Sequence, residues 1–178
     1  MYELTRVWLG DCVMSEPKVY IARLDQMRVA CVRVISENPE RDAWEKMRRW
    51  AEPKGLLDDT ERHPVFGFNN PNPAAEGKEY GYEFWISVDP DVEPEGGIEV
   101  KDFAGGLYAV TTCKLHGDPS GNVVDIWKKL WDWVQSSKYR RRRTHEMEKL
   151  HNPKAPEKDL ILDLYLPIEE KPKRGTKT

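Results

Sequence analysis

Two well-separated segments of this 178-residue chain carry one short pattern, Ala43-Trp44-Glu45-Lys46-Met47-Arg48-Arg49-Trp50-Ala51 and Ile126-Trp127-Lys128-Lys129-Leu130-Trp131-Asp132-Trp133-Val134. Trp44 matches Trp127, Met47 matches Leu130 and Trp50 matches Trp133. A strand-like stretch and a polar loop precede each copy: Arg28-Val29-Ala30-Cys31-Val32 before the first, Leu107-Tyr108-Ala109-Val110-Thr111 before the second. The chain therefore reads as a duplicated strand–loop–helix unit. Two copies related by a pseudo-twofold axis make a closed globule and must meet at a seam, and a seam between subdomains is a preferred place for a small-molecule pocket.

The length suits one domain with a well-buried core and is short for two. A formal net charge of −3 with a third of the residues charged gives no global attraction to nucleic acid or to a membrane surface. Three scattered cysteines, Cys12, Cys31 and Cys113, argue against a disulfide framework and for a reducing compartment, so a cytoplasmic location is expected. No signal segment is visible, and no apolar run approaches the roughly 20 residues of a membrane span. Seven Trp and seven Tyr exceed what a core of this size needs to fill its volume, which leaves rings to face a ligand.

Along the chain, residues 1–16 read as an arm that packs on the domain. Lys18–Leu24 and Arg28–Ile35 read as a hairpin turned at Asp25-Gln26, and Pro39 opens a helix that Pro53 and Gly55 stop. In Tyr80–Val88, the residues Tyr80, Tyr82, Phe84, Ile86 and Val88 share one side of a strand while Glu83 and Trp85 share the other. Ile98–Phe103 and Leu107–Leu115 are the next strands, and Val123–Gln135 is the second helix. The Lys138–Arg143 basic run reads as a solvated loop beside the carbonyl end of that helix. Leu160, Leu162, Leu164 and Leu166 line the core face of the last strand, with Ile161, Asp163 and Tyr165 opposite, and the charged tail from Glu169 reads as disordered.

With these residues in place the chain resembles the GyrI-like family, the effector-binding domain of multidrug-sensing bacterial regulators and of small stand-alone proteins. The resemblance rests on Val29-Ala30, the Trp-containing helix ending near Gly55-Leu56, Phe66-Gly67 followed by Asn and Pro residues, and Gly106-Leu107-Tyr108-Ala109-Val110. It continues in the second Trp-rich helix, Glu148 shortly before Asn152-Pro153, and the closing Leu162-Asp163-Leu164-Tyr165-Leu166-Pro167-Ile168. It covers residues 17–170 as one small-molecule-binding domain, with 171–178 as a tail. The resemblance implies an α+β fold: two βαββ units forming an eight-stranded, curved antiparallel sheet, two helices on one side and a ligand cleft at the seam. It implies that Glu148 meets the cation of lipophilic aromatic ligands, that Tyr165 is the aromatic of the closing strand, and that Asp163 stands where the family often carries a glutamate. Residue 150 is Leu near a place the family often gives to an aromatic, so Glu146 competes with Glu148 for the role.

A carboxylate enclosed by aromatic faces suits a flat organic cation, since each ring attracts the charge by about 0.5–2 kcal/mol. The candidate ligand-binding residues are Glu148, Glu83, Trp85, Tyr108, Trp133, Asp163 and Tyr165. Each has a plainer reading: Glu148 as a solvated acid offsetting the arginines, Glu83 and Asp163 as solvent-facing positions on a half-exposed sheet, and Trp44, Trp50, Trp127 and Trp133 as rings packing helices on the sheet. Trp131 lies off the main apolar stripe, free to reach a groove. The histidines show no zinc spacing, and no phosphate loop or nucleophile signature is present, so neither metal nor cofactor is expected. Three functions follow. The first is a stand-alone binder of aromatic, often cationic compounds, without a DNA-binding element of its own in residues 1–16. The second is a hydrolase of reactive electrophiles such as cyclopropanoid alkylating compounds, with Glu148 as the acid and Tyr165 or Tyr108 as hydrogen-bond partner. The third is a gyrase-inhibitor-like protein-interaction module.

Overall fold

A computed structural model describes residues 18–74, 77–115 and 119–172; the N-terminal arm expected over residues 1–16 lies outside them. Nine strands and two helices follow in the order β1 (Tyr20–Leu24), β2 (Met27–Ser36), α1 (Pro39–Ala51), β3 (Val65–Asn69), β4 (Tyr80–Ser87), β5 (Glu99–Phe103), β6 (Gly106–Lys114), α2 (Pro119–Ser136), β7 (Tyr139–Arg141), β8 (Met147–Leu150) and β9 (Ile161–Glu170). They form one antiparallel sheet in the order β1-β6-β9-β8-β3-β4-β2-β5, with β7 also on β9. Because β7 pairs with Ile168–Glu170 and β8 with Leu162–Tyr165 of the same strand, the two share one place in the sheet. The sheet has eight places, as the family resemblance implies.

The two units meet where β3 pairs with β8. On one side lie β4, β2 and β5, and on the other β9, β6 and β1. The matched residues of the repeat take matched roles. Met47 of α1 and Leu130 of α2 are fully buried on the sheet-facing sides of their helices, and Trp44, Trp50, Trp127 and Trp133 pack around the same cluster with Phe84, Ile86, Leu162, Leu164 and Leu166 of the sheet. Helix α1 begins with Pro39 at its first turn beside Glu40 and Asp42, carries Arg48 and Arg49 in its last turn, and ends through one 3-10 turn at Gly55, whose φ is 70°. Acids at the amino end and bases at the carboxyl end both suit the helix dipole.

The expected hairpin of the first two strands does not form. β1 pairs with β6, from Tyr20 opposite Val110 to Leu24 opposite Gly106, while β2 pairs with β4 and β5. Each unit thus lends its leading strand to the other: β1 extends the second half and β5 the first. Only Asp25-Gln26 joins β1 to β2, and only Ala104-Gly105 joins β5 to β6, yet each pair stands near opposite ends of the sheet order. Links so short across a sheet so wide, at about 4.8 Å per strand, require that it curl until its ends approach. Residues from both ends accordingly share one cluster on the helix-free face, in which Val29 and Cys31 of β2 and Tyr108 and Val110 of β6 join Phe66, Trp85, Met147 and Tyr165.

Two further expectations change. The basic run is not a loop throughout, because Tyr139–Arg141 is a strand on β9. The tail stays ordered through Glu170 for the same reason: Arg140 pairs with Glu169 at 2.8 Å and Lys138 with Glu170 at 3.3 Å. These charges are solvent-exposed, as the sequence suggests, and lie opposite one another across the ladder.

Candidate functional site

The seam makes the site. β3 and β8 pair only over Val65↔Leu150, Phe66↔Lys149 and Gly67↔Glu148. Beyond Gly67 the ladder stops, because residues 142–146 bulge out between β7 and β8 while only Leu166 and Pro167 of β9 stand opposite the interruption. Arg142 N–H still donates to the Pro167 carbonyl at 2.9 Å, so the bulge stays anchored to the sheet. The gap it opens is a cavity of about 260 Å³, roofed by Trp127 and Trp131 of α2 and bordered by Phe68, Asn69, Asn72, Tyr82, Arg141, His145, Glu146 and Glu148. The cavity is small, and its lining mixes aromatic rings with polar side chains that converge on it, which makes it a candidate small-molecule site.

Glu148 faces the helices at the seam. Its carboxylate accepts the Tyr82 hydroxyl at 2.9 Å and the Trp127 indole N–H at 3.3 Å. The acid's partner across the seam, Gly67, makes this possible: a Cβ on Gly67 would stand 2.5 Å from Tyr82 Oη and 2.9 Å from Phe84 Cε1. The bare glycine lets the Tyr82 ring cross β3 and reach Glu148. Registers β3–β4 and β8–β9 pair Gly67 with Phe84 and Glu148 with Leu164, so Gly67 and Glu148 hold corresponding places in the two halves. The pseudo-symmetry is broken there, with an acid on one side and an empty position on the other.

Burial pushes the Glu148 carboxyl above the ordinary glutamate range. The hydrogen bonds from Tyr82 and Trp127 pull the other way and Glu40 adds to the rise. Burial, with the Glu148 charge beside it, also pushes the Tyr82 hydroxyl well above its ordinary value. Glu146 borders the same cavity but is held by Arg141 at 2.8 Å; of the two glutamates, Glu148 is the one bound by an aromatic hydroxyl and an indole.

The other expected site residues do not join Glu148. Register places Met147 opposite Tyr165 and Glu148 opposite Leu164, which puts Tyr165 on the helix-free face and Glu148 on the helix face. Tyr165, Tyr108 and Trp85 are buried together in the second cluster, with Tyr165 edge-on to Phe66 and Tyr108. Glu83 is 4% exposed and accepts from Trp85 Nε1 at 2.6 Å, Asn70 Nδ2 at 2.8 Å and Lys101. Burial raises its pKa, but those three donors outweigh it and hold the carboxyl below the ordinary range. Asp163, 5% exposed, accepts from Thr112 at 2.6 Å and Tyr20 at 3.2 Å and pairs with His151 at 2.8 Å. Both acids are tied into the sheet, so neither is the solvent-facing position that alternation alone suggests. Trp133 packs against the main core and does not border the cavity.

Sequence reasoning missed Tyr82, set on the core side of its strand, and Trp127, taken as packing. Both assignments are right as to face, but the pocket lies within that face. The signal available was Gly67 in an otherwise bulky strand, Val65-Phe66-Gly67-Phe68. Among the described residues, no group of three or more His, Cys, Asp or Glu is placed to hold a metal ion, and no helix is long and apolar enough to cross a membrane.

Several known structures share this architecture. EcmrR in its complex with DNA superposes with a TM-score of 0.65 at 14% identity over 88% of this chain; the chain spans 59% of that one. The C-terminal domain of EcmrR alone gives 0.64 at 14% identity, covering 87% of this chain and 99% of that domain. A hydrolase from Listeria innocua gives 0.61 at 10% identity over 86% of this chain and 93% of that one. SAV2435 bound to tetraphenylphosphonium gives 0.50 at 12% identity over 85% and 94%. At these identities the likeness is one of fold. No curated protein matches the chain in sequence. The model of the GyrI-like small molecule binding domain matches residues 17–169, and the chain belongs to that family.

Proposed function

We propose that this protein binds hydrophobic, aromatic, often cationic small molecules in the cavity between α2 and the β3–β8 seam. The observation that carries the reading is the half-buried Glu148 carboxylate, which borders the cavity, accepts from Tyr82 and Trp127 and lies below two indoles. A carboxylate deprived of solvent is costly unless a cation meets it, and ring faces add attraction for that cation without demanding one hydrogen-bond pattern. The tetraphenylphosphonium carried by SAV2435 is a ligand of this chemistry. Titration with rhodamine 6G, followed by tryptophan quenching, tests it. Saturable micromolar binding is expected, weakened about tenfold or more in Glu148→Gln, since a hydrogen-bonded charge contributes about 1.5–3 kcal/mol. Absence of binding in the wild type would overturn the reading.

A second reading, hydrolysis of electrophilic substrates, draws on the raised carboxyl of Glu148, a shift in the direction that favours a general acid. The hydrogen-bond partner would be Tyr82, because Tyr165 and Tyr108 lie behind the sheet. Turnover of an alkylating cyclopropanoid that Glu148→Gln abolishes, with dye binding partly kept in Tyr82→Phe, would favour this reading over simple capture.

A further inference from the structure

The cavity carries a cation of its own. Arg141, at the end of β7, lies over the Trp131 ring at 5.5 Å, and its Nε forms an ion pair with Glu146 Oε1 at 2.8 Å. Among the described residues no ion pair engages its two terminal nitrogens, which form a planar fork, the geometry that takes a carboxylate in a bidentate grip. Trp131 and Trp127 are one turn apart on α2, and both border the cavity. The Glu148 acid is hydrogen-bonded to Trp127, whereas Arg141 lies over Trp131. Four residues of helix rise separate these anchors, about 6 Å at 1.5 Å per residue. His145 borders the same cavity and stacks on Phe68 at 4.3 Å. Partial desolvation lowers the pKa of its ring, with Glu83 opposing and Lys101 adding to the shift.

Glu146 neutralises the inner edge of this guanidinium, so a simple lipophilic cation can enter but leaves the outer edge of Arg141, an anion-binding group in the cavity wall, unused. Resting on the cleft reading above, we infer that the ligand is an aromatic ampholyte: a flat ring system with a protonated nitrogen directed to Glu148 and a carboxylate, or an equivalent anionic acceptor, directed to Arg141. Glu146 steers the guanidinium by holding its inner edge, and the paired indoles set the spacing of the two charges.

Rhodamine 110 and rhodamine 123 form a matched probe pair, because the second is the methyl ester of the first and lacks only the free carboxylate. Dissociation constants for both dyes are to be measured by fluorescence anisotropy for the wild type, Arg141→Gln, Arg141→Lys and Glu148→Gln, with circular dichroism as a check on folding. The expected result is that the wild type binds rhodamine 110 at least tenfold tighter than rhodamine 123, that this ratio falls to near one in Arg141→Gln, and that Arg141→Lys, a charge without a fork, lies between. Equal binding of the two dyes by the wild type, or a ratio unchanged in Arg141→Gln, overturns the inference and leaves the cleft reading standing. A wild type that binds neither dye, or a Glu148→Gln variant that binds the ester as tightly as the wild type, overturns the cleft reading and the inference with it.

Discussion

At the scale of single residues, the site depends on one glycine and one acid in corresponding places across the seam. Alanine at position 67 puts a methyl group 2.5 Å from Tyr82 Oη and 2.7 Å from its Cε1, so the ring must leave Glu148. Gly67→Ala should cost about 1–3 kcal/mol in urea unfolding, the usual range for an overpacked core, and should weaken dye binding although residue 67 itself does not border the cavity. Glu148 makes a prediction of pH dependence. Its folded carboxyl titrates above the ordinary range, so the folded state holds the proton more tightly than the unfolded chain does. Its contribution to stability is complete below the ordinary glutamate range and is lost as pH rises through the raised value. Cation binding runs oppositely, because it needs the carboxylate, and should strengthen across that window. Dye titrations from pH 4 to 8 should show the rise in the wild type and none from this group in Glu148→Gln. Glu83 behaves as structure: Glu83→Gln disturbs the bonds with Trp85, Asn70 and Lys101 and should lower stability by about 2 kcal/mol or more, read by thermal melting.

At the scale of elements, the exchange of leading strands rests on tight links. Gly105, between β5 and β6, has φ of 73°, and a Cβ there would stand 2.2 Å from the Leu24 carbonyl oxygen at the end of β1. The two links therefore cross in near contact. Gly96, in the loop before β5, has φ of 59° with nothing near its missing side chain. Gly105→Ala adds a backbone clash to the left-handed strain of about 1–2 kcal/mol that Gly96→Ala meets alone. The first should be clearly the more destabilising in chemical unfolding. Similar costs at the two positions would show that the links tolerate separation.

For the whole molecule, the exchange makes each half incomplete. The segment 18–88 holds β1 without β6, and 98–172 holds β5 without β2. Expressed separately, each should lack a cooperative thermal transition by circular dichroism, while an equimolar mixture should recover one together with dye binding. Autonomous folding of either half would contradict the derived role of β1 and β5. The cavity is a whole-molecule property too: its floor comes from β4 and β8, its roof from α2 and its far wall from the bulge at 142–146, so neither half contains it.

The sequence by itself determined the repeat, the helices, the alternation of the long strands and the family, because local periodicity and a matched Trp pattern are written in neighbouring residues. Glu148 was named from sequence through the family's pattern, and the structure sets it at a pocket. Only the tertiary structure decided its companions. Whether Tyr82 packs or binds depends on Gly67 in the adjacent strand, and whether Asp163 meets water or Tyr20 depends on β1 crossing to the second half. The expected hairpin failed for the same reason: a two-residue link between strands reads locally as a turn, and only the curl of the complete sheet, which brings its distant edges together, sends those strands to different partners.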